Sequence, residues 1–512
     1  MSLTRRAPPE PPPGKGVRET LCYDPEPVAR RLMLIGLDCA APQLVFDRWL
    51  DRLPAIRSLT EKSAFGILRS CDPPITVPAW SVMMSSHDPG ALGIYGFRNR
   101  KDRSYDQLGI ADSRAVRVPR VWDILSEAGR DVIVLGVPGT YPPPRVNGAL
   151  VSCFLTPDPK TSTYTHPPEL KDEIERTVGE YQVDVRDFRT DDKERLLDQV
   201  TKMTNTRFRL AEHLLDTRPW DFFAMVEMGT DRMHHGFWRY MDREHRLYEP
   251  GNRFENAIRD YYVLVDQLIG RLLTRADDDT AVLVVSDHGA KRMDGAICIN
   301  EWLRREGYLT LTREPDEAER LTPDLIDWER TKAWGDGGYY ARLFLNVEGR
   351  EPKGVIPSAE YEQVRDELIR GLETLGDEDG RPIGTRVYRP QDLYAEANGI
   401  PPDLLVYFGD LNWRSAGTVG GGVVHLREND TGPDDANHAH EGMYILRADG
   451  VAGGRAEERR IQDVAPTILE LLGVPPPAGM KGSSIARAGA DGGYSQEEEE
   501  LVAQRLEDLG YL

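Results

Sequence analysis

A run of small and apolar residues that ends in an Asp-His pair constrains the fold of this chain more than any other stretch. It reads Ala281-Val-Leu-Val-Val-Ser-Asp-His-Gly289. A continuous Val/Leu run bounded by a turn signal is typical of a strand buried on both faces. Ligands of open parallel sheets bind outside the carboxyl ends of the strands, where Asp287 and His288 fall. A carboxylate beside an imidazole can supply half of a zinc coordination shell.

Three further stretches place Asp or His at the end or beginning of an apolar run. Asp38 ends a run that starts at residue 31, and Asp231 follows a run that starts at residue 221, with His235 four residues later. His438 comes just before the apolar segment 443–446. Together with Asp287 and its neighbour, these residues make three strand-end aspartates and three imidazoles, which is enough for two metal ions. Nitrogen and oxygen donors suit Zn²⁺ and would also accept Mn²⁺ or Fe²⁺.

The segments around these strand ends alternate between strand and helix patterns. Strands are predicted over residues 31–38, 64–69, 131–136 and 281–287. Helices are predicted over residues 43–61, 118–128, 191–216, 257–273 and 461–472. Such alternation is typical of βαβ units on a mostly parallel sheet, so the sequence predicts an α/β fold. The proline-rich stretch 72–80 predicts a rigid turn with Thr76 at its mouth.

Changes in composition and residue pattern divide the chain into four parts. Residues 1–28 are rich in proline and arginine and predict a disordered tail. Residues 29–299 and 427–490 carry the strand-end motifs and predict one catalytic domain. Short, mixed elements in residues 300–426 predict a smaller α+β insertion that caps it. Residues 491–512 begin with an acidic run and predict a C-terminal helix with a solvated face.

Composition limits the partners of the chain. Its 64 Lys and Arg against 85 Asp and Glu give a formal charge of -21, which disfavours a nucleic-acid duplex or an anionic membrane surface. A small anionic substrate stays open, because metal ions dominate the field close to them. The five cysteines are scattered without a CxxC pattern, so no disulfide framework or cysteine zinc site is predicted. Without a transmembrane run or an apolar signal segment, a cytoplasmic location is expected; the oligomeric state stays open.

Five separated motifs, in order, resemble the type I phosphodiesterase/nucleotide pyrophosphatase family of the alkaline phosphatase superfamily. They are Gly36-Leu-Asp38, Thr76-Val-Pro-Ala-Trp80, Thr230-Asp-Arg-Met-His-His-Gly-Phe-Trp238, Ser286-Asp-His-Gly289 and Asn437-His-Ala-His-Glu-Gly442. The resemblance covers residues 31–485. It implies an alkaline phosphatase-like fold, in which a doubly wound, mostly parallel sheet has helices on both faces. It also implies a two-zinc site and a threonine nucleophile.

The resemblance assigns a role to each candidate residue. One metal ion would be held by Asp231, His235 and His438. The other would be held by Asp38, Asp287 and His288, with Thr76 as nucleophile and further ligand. The expected reaction is hydrolysis of a small phosphodiester or pyrophosphate substrate through a covalent phosphothreonine. The physiological substrate and metal stay open, and a phosphomonoesterase or a phosphomutase-like isomerase on the same site are the alternatives.

One departure from the family pattern concerns the phosphoryl oxygens. Family members commonly carry Thr-x-Pro-Asn, whose Asn donates to phosphate, but this chain has Ala79. Another donor must then serve, and the candidates are a backbone N–H near Val77 and the side chains of Arg98, Asn99 and Lys291.

The neighbours of the candidate ligands have other expected roles. His234 and His440 lie beside or near ligands and are expected to support them or to face solvent. Arg232 is left open between pairing with Asp231 and reaching substrate. Cys39 is expected to point away from Asp38 along an extended chain and into the core. Cys71 is no sulfatase nucleophile, because Ile75 stands where that motif has arginine.

Overall fold

Five parallel strands form the centre of this structure, a computed structural model that describes residues 27–487. Their spatial order is Thr280–Val285, Arg31–Leu37, Phe222–Glu227, Val132–Leu135, Gly148–Val151. Side chains alternate along a strand, so Leu32 and Leu34 pack into one apolar cluster and Met33 and Ile35 into another. Gly36 pairs with both neighbouring strands, so these strands end at one edge of the sheet.

Further strands, antiparallel or parallel to the strand they join, complete the sheet at both sides. Glu441–Arg447 pairs with Thr280–Val285, and Ala64–Arg69 pairs with Glu441–Arg447. Two short strands, Gly454–Arg455 and Arg459–Arg460, lie along Ala64–Arg69, and Thr165–His166 closes the far edge.

Helices cover both faces of the sheet. On the first face they are Pro54–Thr60, Leu170–Val178, Lys193–Thr217, Gly229–Met241 and Ala257–Leu273. On the second face they are Thr76–Ser85, Val121–Glu127 and Val464–Leu471. Apolar residues recur at helical spacing on each buried side, as in Ile258, Tyr261, Tyr262 and Val265. The predicted doubly wound α/β fold is confirmed.

Two predicted segments differ in the structure. The single helix predicted over 43–61 is wrong, since the segment breaks into Gln43–Arg48, Leu50–Arg52 and Pro54–Thr60. Pro54 keeps the preceding residue out of the helical region and starts a new helix instead. The turn predicted over 72–80 is wrong from Thr76 onward, where a ten-residue buried helix begins. Pro78 is tolerated there, because first-turn N–H groups have no partner within a helix.

The inserted segment has an apolar cluster of its own. A four-stranded antiparallel sheet there consists of Ala333–Asp336, Ala341–Leu345, Leu404–Tyr407 and Arg386–Tyr388. The helices Ile299–Arg305 and Tyr361–Glu373 pack on it. A second sheet orders the strands Trp413–Ala416, Gly295–Cys298 and His425–Leu426. The domain division itself stays a prediction.

The predicted C-terminal helix and all but the last two residues of the predicted tail lie outside the described residues. The described part also contains pairs of short antiparallel strands: Arg98–Arg100 with Leu108–Ile110, Gly289–Arg292 with Ala436–Ala439, and Glu319–Arg320 with Thr418–Val419. Across residues 27–487, none of the helices has the length and apolar character needed to traverse a bilayer.

Candidate functional site

The seven candidate residues converge at the carboxyl edge of the central strands, and all of them are buried. Asp38 directly follows the strand Arg31–Leu37, and Asp287 comes two residues after the end of the neighbouring parallel strand Thr280–Val285. Thr76 is the first residue of its helix. His438 arrives on the strand Ala436–Ala439, whose pairing with Gly289–Arg292 stacks the rings of His438 and His288 with centroids 3.9 Å apart.

The first group surrounds His288. Its Nε2 lies 3.2 Å from Asp287 Oδ2, 3.8 Å from Asp38 Oδ1 and 3.3 Å from Thr76 Oγ1. A carboxylate pair, an imidazole and a hydroxyl thus meet around one point, which is the arrangement expected for one metal site with its nucleophile.

The second group surrounds Asp231. Its Oδ1 lies 3.2 Å from His235 Nε2 and 3.8 Å from His438 Nε2, and the two imidazole nitrogens are 3.2 Å apart. Asp231 and His235 lie one turn apart on the helix Gly229–Met241, so they share a face.

Three carboxylate oxygens in these groups have no hydrogen-bond partner among the described residues. They are Asp38 Oδ1, Asp231 Oδ1 and Asp287 Oδ2, and they are the oxygens closest to the imidazole nitrogens. A buried acceptor left unpaired is costly, and a divalent cation in each of the two groups would satisfy these oxygens. The donor set therefore fits the two expected metal ions.

The electrostatics of the site also favour bound cations. Burial, together with the charge of Asp231, raises the pKa of Asp38 well above its usual value, and burial and Asp38 do the same for Asp287. Burial lowers the pKa of His288 to about 4 and that of His438 well below its usual value. The imidazoles of His288 and His438 are therefore neutral near pH 7, which is the form that binds metal. Burial would also lower the pKa of His235, but its neighbours Tyr339, Asp434 and Asp231 raise that pKa well above its usual value.

Contacts behind the candidate ligands fix their orientation, and sequence reasoning missed them. His235 Nδ1 lies 2.7 Å from a carboxylate oxygen of Asp434, and Trp80 Nε1 donates to Asp38 Oδ2 over 2.7 Å. His438 Nδ1 donates to the carbonyl oxygen of Pro74 over 2.8 Å. Such partners set ring orientation and ligand basicity. A methyl group at Gly36 would overlap the Trp80 ring, so glycine is needed for the indole to reach Asp38.

The neighbouring histidines lie outside the two groups. His234 Nε2 lies 3.2 Å from the hydroxyl oxygen of Tyr262, and burial lowers its pKa to about 3. His440 Nε2 lies 2.8 Å from Asp72 Oδ1.

Two other neighbours of the candidate ligands, Arg232 and Cys39, contact the group around Asp231. Arg232 pairs with both Asp231 and Asp184. The expectation for Cys39 is wrong in one respect: it is buried, but a left-handed φ of 65° turns the chain. Its thiol therefore lies close to Asp231 and His235, with the three ligand atoms within 4.8 Å of one another.

A cavity of about 360 Å³ opens beside Thr76, Asp231 and His438. Its wall includes Tyr339 and Tyr340 of the inserted segment. Further aromatic side chains that line it come from earlier in the chain: Phe97, Phe154 and Phe188. The site therefore has an apolar wall beside a polar floor, which suits a small ligand.

The structure shows which of the candidate donors to the phosphoryl oxygens are already hydrogen-bonded elsewhere. Asn99 is engaged within its own loop, and Lys291 donates to the carbonyl oxygen of Asp410. Arg98 lines the cavity. Val77 is the second residue of its helix, so its N–H has no partner within that helix. Ala79 is fully buried in the core.

Comparison with known proteins identifies the family. The sequence profile of type I phosphodiesterase / nucleotide pyrophosphatase matches residues 32–436. The chain belongs to this family. It is therefore a hydrolytic enzyme of the phosphodiesterase/pyrophosphatase type in the alkaline phosphatase superfamily, as its motifs indicated. A search of curated protein sequences gave no match.

Solved structures share the fold at low sequence identity. Phosphonoacetate hydrolase from Sinorhizobium meliloti 1021, in complex with phosphonoformate, is 16% identical with a TM-score of 0.55, over 87% of this chain and 96% of that one. Murine ectonucleotide pyrophosphatase / phosphodiesterase 5, as an inactive variant with AMP, is 12% identical with a TM-score of 0.53, over 90% and 99%. The human counterpart is 13% identical with a TM-score of 0.51, over 89% and 97%.

Proposed function

We propose that this enzyme hydrolyses phosphodiester or pyrophosphate bonds of a small substrate through a covalent phosphothreonine at Thr76. The observation that carries the proposal is the position of the Thr76 hydroxyl. It lies at a helix N-terminus, 3.3 Å from His288 and beside a group of unpaired carboxylate oxygens, and it lines the cavity.

Two divalent cations complete the proposed site, with zinc the best fit to the donors and manganese or iron the alternatives. Asp231, His235 and His438 would hold one of them. The other would be held by the following residues: Asp38, Asp287, His288 and Thr76. When bound, the cations neutralise charge on the phosphoryl group and lower the pKa of a coordinated hydroxyl.

The residues around Thr76 orient the attack. Pro73 and Pro74 before it and Pro78 after it restrict the backbone, which holds the hydroxyl in place for an in-line reaction. The N–H groups of Thr76 and Val77, at the helix N-terminus, have no partner within the helix, so they can donate to phosphoryl oxygens. This backbone contribution replaces the side-chain donor that Ala79 lacks.

The proposed reaction proceeds in two displacements. A bond forms between Thr76 Oγ1 and phosphorus while the bond from phosphorus to the leaving oxygen breaks, and the proton lost by the Thr76 hydroxyl ends on the leaving oxygen. Water then attacks phosphorus and the bond from phosphorus to Oγ1 breaks; one proton of the water passes to Oγ1, and its oxygen stays on the phosphate product.

A substrate panel tests the activity. Bis-p-nitrophenyl phosphate, p-nitrophenyl phosphate and nucleoside 5′-p-nitrophenyl esters should be compared with Zn²⁺ and Mn²⁺, on the wild type and Thr76→Ala. We expect higher kcat/KM on the diester than on the matching monoester, with activity lost on chelation. No turnover of any phosphoester with either metal would contradict the proposal.

A phosphomonoesterase is the second candidate, because five arginines line the cavity and could meet the extra charge of a monoester. A diester-to-monoester ratio of kcat/KM well below one would favour it. We also propose a cytoplasmic location, which the free thiols of the four described cysteines support. Cell fractionation would test the location.

A further inference from the structure

The cavity beside Thr76 carries more positive charge than the reacting phosphoryl group alone requires. Its lining holds one carboxylate, Asp231, and five guanidinium groups: Arg98, Arg189, Arg232, Arg342 and Arg414. Three of the five are committed to carboxylates. Arg232 pairs with Asp184 and Asp231, Arg342 with Asp336, and Arg189 with Asp434.

Arg414 is a buried arginine of this cavity that, unlike Arg189, Arg232 and Arg342, forms no hydrogen bond with a carboxylate among the described residues. Only 5% of its surface is exposed, yet its Nε and Nη1 have no hydrogen-bond partner among the described residues. The nearest carboxylate oxygen is Asp434 Oδ2, 3.5 Å from Nη1. That oxygen already accepts a hydrogen bond from Arg189, and the other oxygen of Asp434 contacts His235. Asp434 is therefore shared between Arg414, Arg189 and His235. Asp430 is a second carboxylate whose charge acts on Arg414, but neither carboxylate forms a hydrogen bond with Arg414 Nε or Nη1.

The position of Arg414 relates it to the candidate metal site. Its guanidinium carbon lies 5.5 Å from the centre of the Tyr339 ring, and the Arg189 guanidinium lies 5.9 Å from the same ring. On the metal side, Tyr339 stacks on His438 with ring centroids 4.4 Å apart. One aromatic ring thus separates the two guanidinium groups from a candidate ligand. Arg414 and Thr76 line the same cavity of about 360 Å³, so an anion bonded to Arg414 would share that cavity with a phosphoryl group in front of Thr76.

We propose that Arg414, with Arg189, forms a subsite for a second anionic group of the substrate, a carboxylate or a phosphate, carried close to the scissile phosphoryl group. This inference rests on the proposed function and narrows its substrate class. A buried guanidinium with free N–H groups presents a planar fork that matches an oxyanion. A substrate without the second anion would leave these N–H groups unpaired and would bind more weakly.

Matched phosphonate probes without a phosphoester bond test the subsite by binding, with release of inorganic phosphate checked for each probe. Methylphosphonate carries one anionic group, phosphonoacetate adds a carboxylate, and methylenediphosphonate adds a second phosphonate. Their dissociation constants should be measured by calorimetry on metal-loaded protein, with metal content checked after each titration. We expect at least about tenfold tighter binding of one or both two-anion probes to the wild type. The probe that gains affinity identifies the second anion as carboxylate or phosphate.

Variants separate recognition from folding and from net charge. Arg414→Met should bring the dissociation constants of the three probes close together, and Arg414→Lys, which keeps the charge but loses the fork, should retain part of the preference. Arg313→Met is the matched control, because it removes a charge from the surface of the same inserted segment, where Arg313 pairs with Glu319, and it should keep the full preference. Thermal unfolding should show that each variant is folded.

Three outcomes would overturn the subsite: equal binding of all three probes to the wild type, no binding of any probe, or an unchanged preference in folded Arg414→Met. Failure of the proposed function looks different, since it would appear as no hydrolysis of any phosphoester. The binding comparison decides the subsite in that case too.

Discussion

Replacing Trp80 by phenylalanine should weaken metal binding without touching a ligand. The indole N–H donates to Asp38 Oδ2 over 2.7 Å in a fully buried setting. Burial and the nearby charge of Asp231 raise the pKa of Asp38, and the Trp80 hydrogen bond opposes that rise. Without the donor, a proton competes better for Asp38 and the carboxylate is free to rotate.

The size of the effect follows from two independent estimates. A buried acceptor left without its donor costs roughly 1–3 kcal/mol. Loss of a partner that orients a metal ligand costs about 10- to 100-fold in metal affinity, which is about 1.4–2.8 kcal/mol. We therefore expect zinc at the site that contains Asp38 to bind about 10- to 100-fold more weakly in Trp80→Phe, with a larger loss at low pH, where protons compete.

Trp122 supplies the matched control. It is buried in the same apolar cluster, and its indole N–H has no hydrogen-bond partner among residues 27–487. Trp122→Phe removes the same ring volume but no contact to a carboxylate. Zinc affinity should be measured by competition with a chromogenic chelator on metal-free protein. Wild-type affinity in Trp80→Phe, or an equal loss in both variants, would refute the reasoning.

Three further predictions address the nucleophile, the ligands and acid stability. Thr76→Ala should lower kcat by at least about 100- to 1,000-fold while the protein retains bound metal, and a near-normal rate would remove Thr76 from the mechanism. Elemental analysis should give close to two metals per chain, with less in Asp287→Ala and in His235→Ala; full content and activity in both variants would contradict the assignment. Burial lowers the pKa of His245 from 6.5 to about 4, so protonation favours the unfolded state. The free energy of unfolding should therefore fall by about 3 kcal/mol as the pH drops from about 6.5 to about 4. His245→Gln should flatten that decline in urea titrations, and an unchanged pH dependence would argue against it.

The residues that the sequence places at strand ends also meet in the structure, because topology alone brings them together. Asp38 and Asp287 each come at or just past the end of a buried apolar run, and parallel strands end at one edge. The periodic helix over 257–273 is found at those bounds, since its apolar spacing is strong.

What the sequence could not show depends on contacts between distant residues. Trp80 and Asp38 are 42 positions apart, and His235 and Asp434 are 199 apart, so no local period records either pair. Asp434 and Asp435 stand just before the motif that contains His438, and this acidic pair is a local signal that could have indicated Asp434. The sequence did not indicate that a helix begins at Thr76, because the prolines around this residue are also typical of a turn.

The stereochemistry at phosphorus tests the central claim most directly. A substrate with a chiral phosphorothioate should be hydrolysed by the metal-loaded enzyme in ¹⁸O-labelled water, and the configuration of the product determined by ³¹P NMR. Each in-line displacement inverts phosphorus, so attack by Thr76 followed by attack of water predicts net retention. Net inversion would show a single displacement by water and would contradict the phosphothreonine account.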